Sequence, residues 1–531
     1  MSALTGTWRL TRFIVRRDRV RLAIWIVAIA ALAYAQGISL HDVYPDQAAV
    51  QSYVDLFGDN PALIAFAGPG YGFDDPNLGV VLVNEIQVFG CIATALMSIF
   101  LLNRSTRAEE DSERAALVRS TRVGRHAPTA AAVGVVAAAN VITGTLCALA
   151  FIAADYPVVG SIALAGSIAA AGLVFAGVTA VAGQAASSGR ATIGGASAAL
   201  GAAFVLRAAG DIGDNGLSWL SPIGWAQAVR AYADERWWTL GLCLVVAALL
   251  VLGAFWLATK RDLGSGMRPE SAGPPGAASW IRRPIGLAFR LQRGSLFGWI
   301  VGLFITGVVF GSLGEDVDRL FEENPALRDV FAQLGAGDPT AAFMATSMTM
   351  LALMAGGFAV SATLHLHGEE GAGRVESILS AAVSRQRWAI GYLAVAVAGT
   401  TIMVAAAGAG VGIAYAVVAG QPGEIMPLVG AALVTVPGVL VLVGLAMLLV
   451  GFAPRASMAA WAGLALMVLI GFLGDILQLP DWALDLSPLQ HLPAVPAESA
   501  SAPPIVAVTL VAGALAAAGL WGLRSRDIQL H

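Results

Sequence analysis

The chain has 531 residues, 57% of them hydrophobic and only 12% charged, with a formal net charge of −4. A soluble chain usually carries about 25% charged residues, so this one lacks the polar surface to clothe two or three globular domains. Composition therefore excludes a string of soluble domains and predicts a polytopic all-α membrane protein. Cys91, Cys147 and Cys243 each sit inside an apolar run. That placement argues against a disulfide framework or a zinc site, and no metal is expected.

A helix needs about 20 apolar residues to cross a hydrocarbon core of ~30 Å. Windows of that kind fall near 22–40, 79–102, 129–153, 158–183, 191–209 and 239–258. A second set falls near 296–313, 342–364, 388–418, 427–452, 456–474 and 504–523, so twelve spans are predicted. The run Trp8-Arg9-Leu-Thr-Arg12-Phe13-Ile-Val-Arg16-Arg17 is amphipathic and basic, and predicts a helix at an anionic inner leaflet. Together with Ala33-Tyr34-Ala35 it has the outline of a secretory signal, but the basic region is too long for one, so an uncleaved first span is expected.

Arginine placement gives the orientation. With the N-terminus inside, 26 of the 31 basic residues fall in cytoplasmic segments, leaving Arg207, Arg230, Arg236, Arg319 and Arg328 outside or near the outer interface. Both termini are expected to be cytoplasmic, in the cell membrane.

The chain repeats itself. Arg21-Leu-Ala-Ile-Trp25-Ile-Val lines up with Ser295-Leu-Phe-Gly-Trp299-Ile-Val, and Asn60-Pro61-Ala62-Leu63 with Asn324-Pro325-Ala326-Leu327. Glu109-Glu110, Arg114, Val123 and Arg125 recur as Glu369-Glu370, Arg374, Val383 and Arg385, and Leu220-Ser221-Pro222 as Leu486-Ser487-Pro488. Lys260-Arg261-Asp262 closes one half and Arg524-Ser525-Arg526-Asp527 the other, and offsets stay between 260 and 274 throughout. Six spans per half make the repeats parallel, with any substrate path between them. The predicted organisation is a first six-span half at 1–262, a Gly/Pro-rich cytoplasmic linker at 263–289 and a second six-span half at 290–531, with no soluble domain. The external stretches 41–78 and 314–341 are predicted to form small helical caps, and Ser221-Pro222 and Ser487-Pro488 to break helices before each last span.

A phosphate-binding loop needs Gly-x-x-x-x-Gly-Lys-Ser/Thr. The only lysine is Lys260, preceded by Leu-Ala-Thr, so the chain contains no such loop. The chain is not expected to be an enzyme or to bind a cofactor itself. If ATP drives it, another polypeptide binds the nucleotide.

The first long cytoplasmic loop of the second half reads His367-Gly-Glu369-Glu370-Gly-Ala-Gly-Arg374-Val-Glu376-Ser-Ile-Leu379-Ser-Ala-Ala-Val383-Ser-Arg385. On a helix, Val375, Ile378 and Leu379 share a face, predicting a short amphipathic helix along the inner membrane surface. The bland alternative is a solvated connector, but the first half duplicates the pattern. This run resembles the coupling helix of type-2 ABC exporter permeases, and the whole chain resembles the fused twelve-span actinobacterial exporters of polyketide antibiotics. The first half departs from the motif, with Asp111-Ser112-Glu113 for Gly371-Ala372-Gly373 and Ala116 for Glu376.

The resemblance implies a separate ATP-binding subunit, two copies per chain, carrying ATP and Mg. It also implies that Glu109, Glu110, Arg114, Glu369, Glu370, Arg374 and Glu376 contact or orient that partner. The expected cargo is a hydrophobic small molecule, a polyketide-type antibiotic or other drug, with lipids as neighbours and no nucleic-acid partner.

Polar residues inside spans are the usual pointers to a transport path. Asn84, Glu85 and Phe89 in the second span, and Phe343, Met344 and Met348 in its counterpart, are the candidates. Glu85 either handles cations or protons, or caps a helix near the outer interface. His365 and His367, two residues apart, point to nearly opposite sides of a helix and make a poor metal site. Two alternatives remain open: a proton-coupled secondary drug transporter, and an exporter of a lipid or peptide. A scaffold or lipid-modifying enzyme would need clustered catalytic residues that the sequence lacks.

Overall fold

The computed structural model describes residues 2–526, apart from 59–60, 112–122, 261–275, 277, 315–337, 372, 381–382 and 474–479. Among the described residues all regular elements are helical, and twelve helices are long and apolar enough to cross a membrane. Each predicted window coincides with one of them. The chain divides into two compact units, Met1–Gly273 and Pro274–His531.

The first unit runs α1 (Thr7–Val43), α2 (Gln47–Gly58), α3 (Pro61–Ala67), α4 (Leu78–Ser105), α5 (Arg107–Asp111), α6 (Ala127–Ala153), α7 (Val158–Ala185), α8 (Gly189–Ile212), α9 (Pro222–Gln227) and α10 (Trp238–Ala258). The second runs α11 (Pro284–Ser312), α12 (Pro339–Gly371), α13 (Arg374–Leu379), α14 (Arg385–Val418), α15 (Ile425–Val434), α16 (Val436–Phe452), α17 (Ala460–Leu473), α18 (Asp481–Leu484) and α19 (Ala502–Ser525). Its fourth span is split into α15 and α16 beside Pro437, which has no amide hydrogen to continue the helical ladder. Within each unit the first span packs on the third, the second on the fourth, and the fourth on the third and sixth. The repeat in sequence is thus a repeat in packing.

Two boundaries differ from the sequence expectation. The basic amphipathic segment forms the first turns of the single helix α1, continuous with the first span. The stretch 263–289 does not end as a linker, because α11 already begins at Pro284. Proline suits a first helical position, where its missing amide costs nothing. Residues 263–275 and 277 of that stretch, with Arg114, Arg261, Asp527, Asn60 and the 324–327 repeat, lie outside the described residues.

Hydrogen bonds between spans hold the first unit together where its helices carry polar groups. Gln87 donates to Ser167 Oγ at 2.8 Å and to the Ala226 carbonyl at 2.9 Å, and Thr94 donates to the Ile168 carbonyl at 2.8 Å. Asn140 reaches Ser98 Oγ at 2.9 Å, and the ring of contacts closes because a Cβ on Gly172 would sit 1.9 Å from the Asn140 amide oxygen. Side-chain hydrogen bonds of this kind glue helices where lipid offers no hydrophobic drive.

The second unit relies more on close backbone approach. A Cβ on Gly519 would lie 2.4 Å from the Met447 backbone, and one on Gly451 2.2 Å from the Gly519 carbonyl. α16 and α19 therefore meet backbone to backbone, as small-residue interfaces allow. Gly519→Val is expected to lower the unfolding temperature in detergent, with an overpacking cost of about 1–3 kcal/mol. Gly513→Val on the same helix, where a Cβ meets nothing within 4 Å, is the control and should leave it unchanged.

Candidate functional site

The duplicated charged segments lie at the arginine-rich end of each unit. In the second unit Glu369 and Glu370 are the closing residues of α12, at 4% and 3% exposure. This corrects the expectation that they sit on the short helix and offer their charges to a partner: both are spent inside the unit. Arg374 Nε and Nη2 donate to the two Glu369 carboxylate oxygens at 2.8 and 2.7 Å. Arg526, just past α19, grips Glu370 in the same forked way at 2.8 and 2.6 Å. Paired N–H donors of this kind fix orientation as well as charge. The Glu369 carboxylate holds the Arg374 guanidinium above its usual pKa, chiefly through this hydrogen bonding. His365 and His367 approach Glu369 and Glu370 at 3.5 and 3.7 Å.

The chain then turns at Gly373, whose φ of 69° is readily reached only without a side chain. α13 follows. Val375 is 1% exposed and packs with Leu366, Trp388 and Tyr392, while Ile378 and Leu379 are partly buried against the same cluster. The predicted apolar face is therefore the face that seats the helix. Glu376 and Ser377 lie on the exposed side. Arg385, opening α14, donates to the Arg526 backbone carbonyl at 2.8 Å, so α12, α14 and the end of α19 converge around the short helix.

The first unit builds the corresponding site with different wiring. α5 continues α4 almost without interruption. Glu109 is paired with Arg17 of α1, which also holds Asp18 at 2.6 Å. Asp18 is 4% exposed and receives Arg104 at 2.8 Å as well. Arg107, 1% exposed, binds Glu110 at 2.7 Å and the Ser187 carbonyl at 2.5 Å. Asp111 accepts the Gly189 amide at 2.6 Å, capping the start of α8. Arg125 donates to the Ala258 carbonyl at 2.9 Å, repeating the grip that Arg385 has on the last span of its own unit.

The residues expected to line a substrate path divide differently. Asn84 is 5% exposed and its side-chain oxygen accepts from the Tyr53 hydroxyl at 2.7 Å. Glu85 hydrogen-bonds the same tyrosine. Both thus tie α4 to the cap helix α2. Phe89 is exposed and meets Phe66 edge-on at 5.0 Å. In the second unit Met344 and Met348 are packed in the core, at 2% and 1% exposure, and Phe343 leans on Phe310. The methionines therefore fill the interior of their own unit, where apolar side chains are most closely packed.

Sequence reasoning missed Arg17, Asp18, Arg104, Arg107 and Arg526 as members of the two sites. One signal was present for Arg526: both halves end on a basic residue followed by aspartate. Another was available at Asp18, a lone carboxylate among six arginines in the first 21 residues.

A family model described as "Multidrug efflux system permease Rv1217c, C-terminal domain" matches residues 281–524, the greater part of the second unit. Over 531 residues the chain is 39% identical to the multidrug efflux system permease protein Rv1217c of Mycobacterium tuberculosis, covering 99% of this chain and 96% of that one. Similarity of that extent spans both units, with their duplicated charged segments. The chain belongs to the family of multidrug efflux system permeases represented by Rv1217c.

Proposed function

We propose that this chain is the membrane-spanning subunit of an ATP-driven exporter of hydrophobic drugs, powered by a separate ATP-binding subunit. The observation that carries the proposal is the seating of α13. Its apolar face is locked to the spans, its outer face carries Glu376 and Ser377, and Glu369–Arg374 and Glu370–Arg526 brace it from behind. A helix held this way transmits a push from outside to α12, α14 and α19 without bending away. Among the residues carried over by resemblance, Glu369, Glu370 and Arg374 then act as positioning groups, and Glu376 as the contact. In the first unit Glu109, Glu110 and Asp111 take these parts with α5, and Arg114 remains a proposed contact. The arginine-rich end faces the cytoplasm on the positive-inside rule, in the cell membrane. The cargo class follows from the relative's description as a multidrug efflux permease, and the polyketide class is the narrower choice within it.

The test is co-purification of the tagged chain with an ATPase partner in mild detergent, followed by ATP hydrolysis in liposomes. Glu376→Arg is expected to leave the unfolding temperature unchanged and to cut drug-stimulated hydrolysis at least tenfold. Ser377→Trp, adding bulk to the same outer face, should do likewise. A chain that purifies alone and moves drug on a proton gradient would overturn the proposal.

A further inference from the structure

A groove of about 590 Å³ lies on the second unit between α11 and α14. Its size falls in the range of ligand pockets, ~300–1,000 Å³. Trp280 and Arg283 line it from the segment just before α11, Phe289 and Leu296 from α11, and Ala394 and Ala398 from α14. The small residues of α14 leave the space open, while Gly391, where a Cβ would meet the Pro284 backbone at 2.9 Å, holds the two helices together just above it.

We infer that this groove is a binding site for one anionic phospholipid. Depth is the first reason. Ile285 to Leu296 spans about 16 Å of helix at 1.5 Å per residue, roughly half of a ~30 Å hydrocarbon core. The groove is therefore as deep as one leaflet, polar at one end and apolar along its length. Charge is the second. Arg283 is the charged side chain among its lining residues, and the segments 278–312 and 385–402 that build it carry no carboxylate. Arg283 is exposed and makes no ion pair among the described residues. A phosphate headgroup matches a guanidinium in both charge and donor geometry. Trp280, 46% exposed beside it, has the amphipathic ring that settles at headgroup level. The pocket at the same end of the first unit is lined by Glu109 and Glu110 as well as Arg17 and Arg107, so it does not share this acid-free lining. The inference requires a membrane, and is independent of what the protein transports.

Native mass spectrometry of the delipidated full chain, with added dioleoyl phosphatidylglycerol or dioleoyl phosphatidylcholine, tests it. One phosphatidylglycerol is expected to stay bound at activation energies that strip phosphatidylcholine. Arg283→Gln should weaken retention about tenfold, the loss of one charge-assisted contact. Ala398→Phe, at an exposed position where added bulk fills the groove without entering the core, should abolish retention while leaving helicity and unfolding temperature intact. A cardiolipin arm separates a two-phosphate headgroup from a single one, and preference for either supports the site. Equal retention of both dioleoyl lipids, or wild-type retention by Ala398→Phe, overturns it.

Discussion

Arg526→Ala is expected to destabilise the second unit by about 3–5 kcal/mol, because it strands the Glu370 carboxylate at 3% exposure without its counter-charge. Removing one member of a buried pair costs far more than removing both, since the remaining charge has lost its water and gained nothing in return. Arg526→Met combined with Glu370→Gln should therefore recover most of the loss. Arg526→Lys should fall between, keeping the charge but not the two parallel N–H donors that meet the two carboxylate oxygens at 2.8 and 2.6 Å. Unfolding followed by circular dichroism in detergent measures all three. If the single and double variants unfold alike, the pair is no brace and α13 is held by its apolar face alone. The same series has a functional reading. Glu376→Arg disturbs the outer face of α13 with the fold intact, whereas Arg526→Ala disturbs its support. Only the second should move the unfolding temperature.

The spans were legible because a membrane imposes a single length and a single polarity on a helix, and twelve windows declared themselves by both. The duplicated charged segments were legible because a repeat makes a motif stand out from ordinary loops. Their chemistry was not. From sequence, Glu369 and Glu370 look like exposed charges on a cytoplasmic loop. Glu369 is held by Arg374, five residues on, and Glu370 by Arg526, 156 residues away. No spacing rule connects a carboxylate at the end of the second span with an arginine after the sixth. Packing of both the second and the sixth spans on the fourth brings them together. The role of Gln87 is illegible in the sequence for a related reason: a polar group inside a span marks either a transport path or a bond to the next helix, and only the position of Ser167 and the Ala226 carbonyl decides between them.

The two units also differ in a way their shared packing conceals. α5 is tied to α1 through Arg17–Glu109 and to the start of α8 through Asp111 and Gly189. α13 instead leans on α14 and on the end of α19. Position 18 shows how the substitution works: Asp18 is buried between Arg17 and Arg104, and its repeat counterpart Gln292 is equally buried without a charge. With Leu291 where the first half has Arg17, the second half recruits Arg374 and Arg526. The two segments are thus anchored to different spans, so variants at the two sites should not be interchangeable.

Arg207→Met should be the most damaging single change within a span, at about 3–5 kcal/mol. Arg207 is fully buried in α8 and holds Asp211 at 3.4 Å, one turn on. Its guanidinium also donates to the Ile64 and Phe66 carbonyls at 3.3 Å each and lies 4.7 Å from the Phe204 ring. Both carbonyls belong to the last turn of α3, but Ile64 also accepts from the Gly68 amide at 2.9 Å, whereas Phe66 lies where helical amides run out. Asp211 in turn accepts from Ser218 at 2.7 Å, in the segment leading to α9. One side chain therefore joins three pieces of the first unit near a membrane surface. Among the described residues, losing it leaves the Asp211 carboxylate with the Ser218 hydroxyl and the Phe66 carbonyl with no partner, while Ile64 keeps the Gly68 amide. Arg207→Met with Asp211→Asn removes the stranded charge but not the stranded Phe66 carbonyl, so it should regain part of the loss and not all of it. The unrecovered part measures what the arginine contributes by holding α3. It should appear separately as faster proteolysis between residues 44 and 77, with the spans still folded. If that segment is cleaved no faster in Arg207→Met than in wild type, α3 is held by the Gln227 bond to the Ala67 carbonyl instead, and Arg207 serves only to neutralise Asp211.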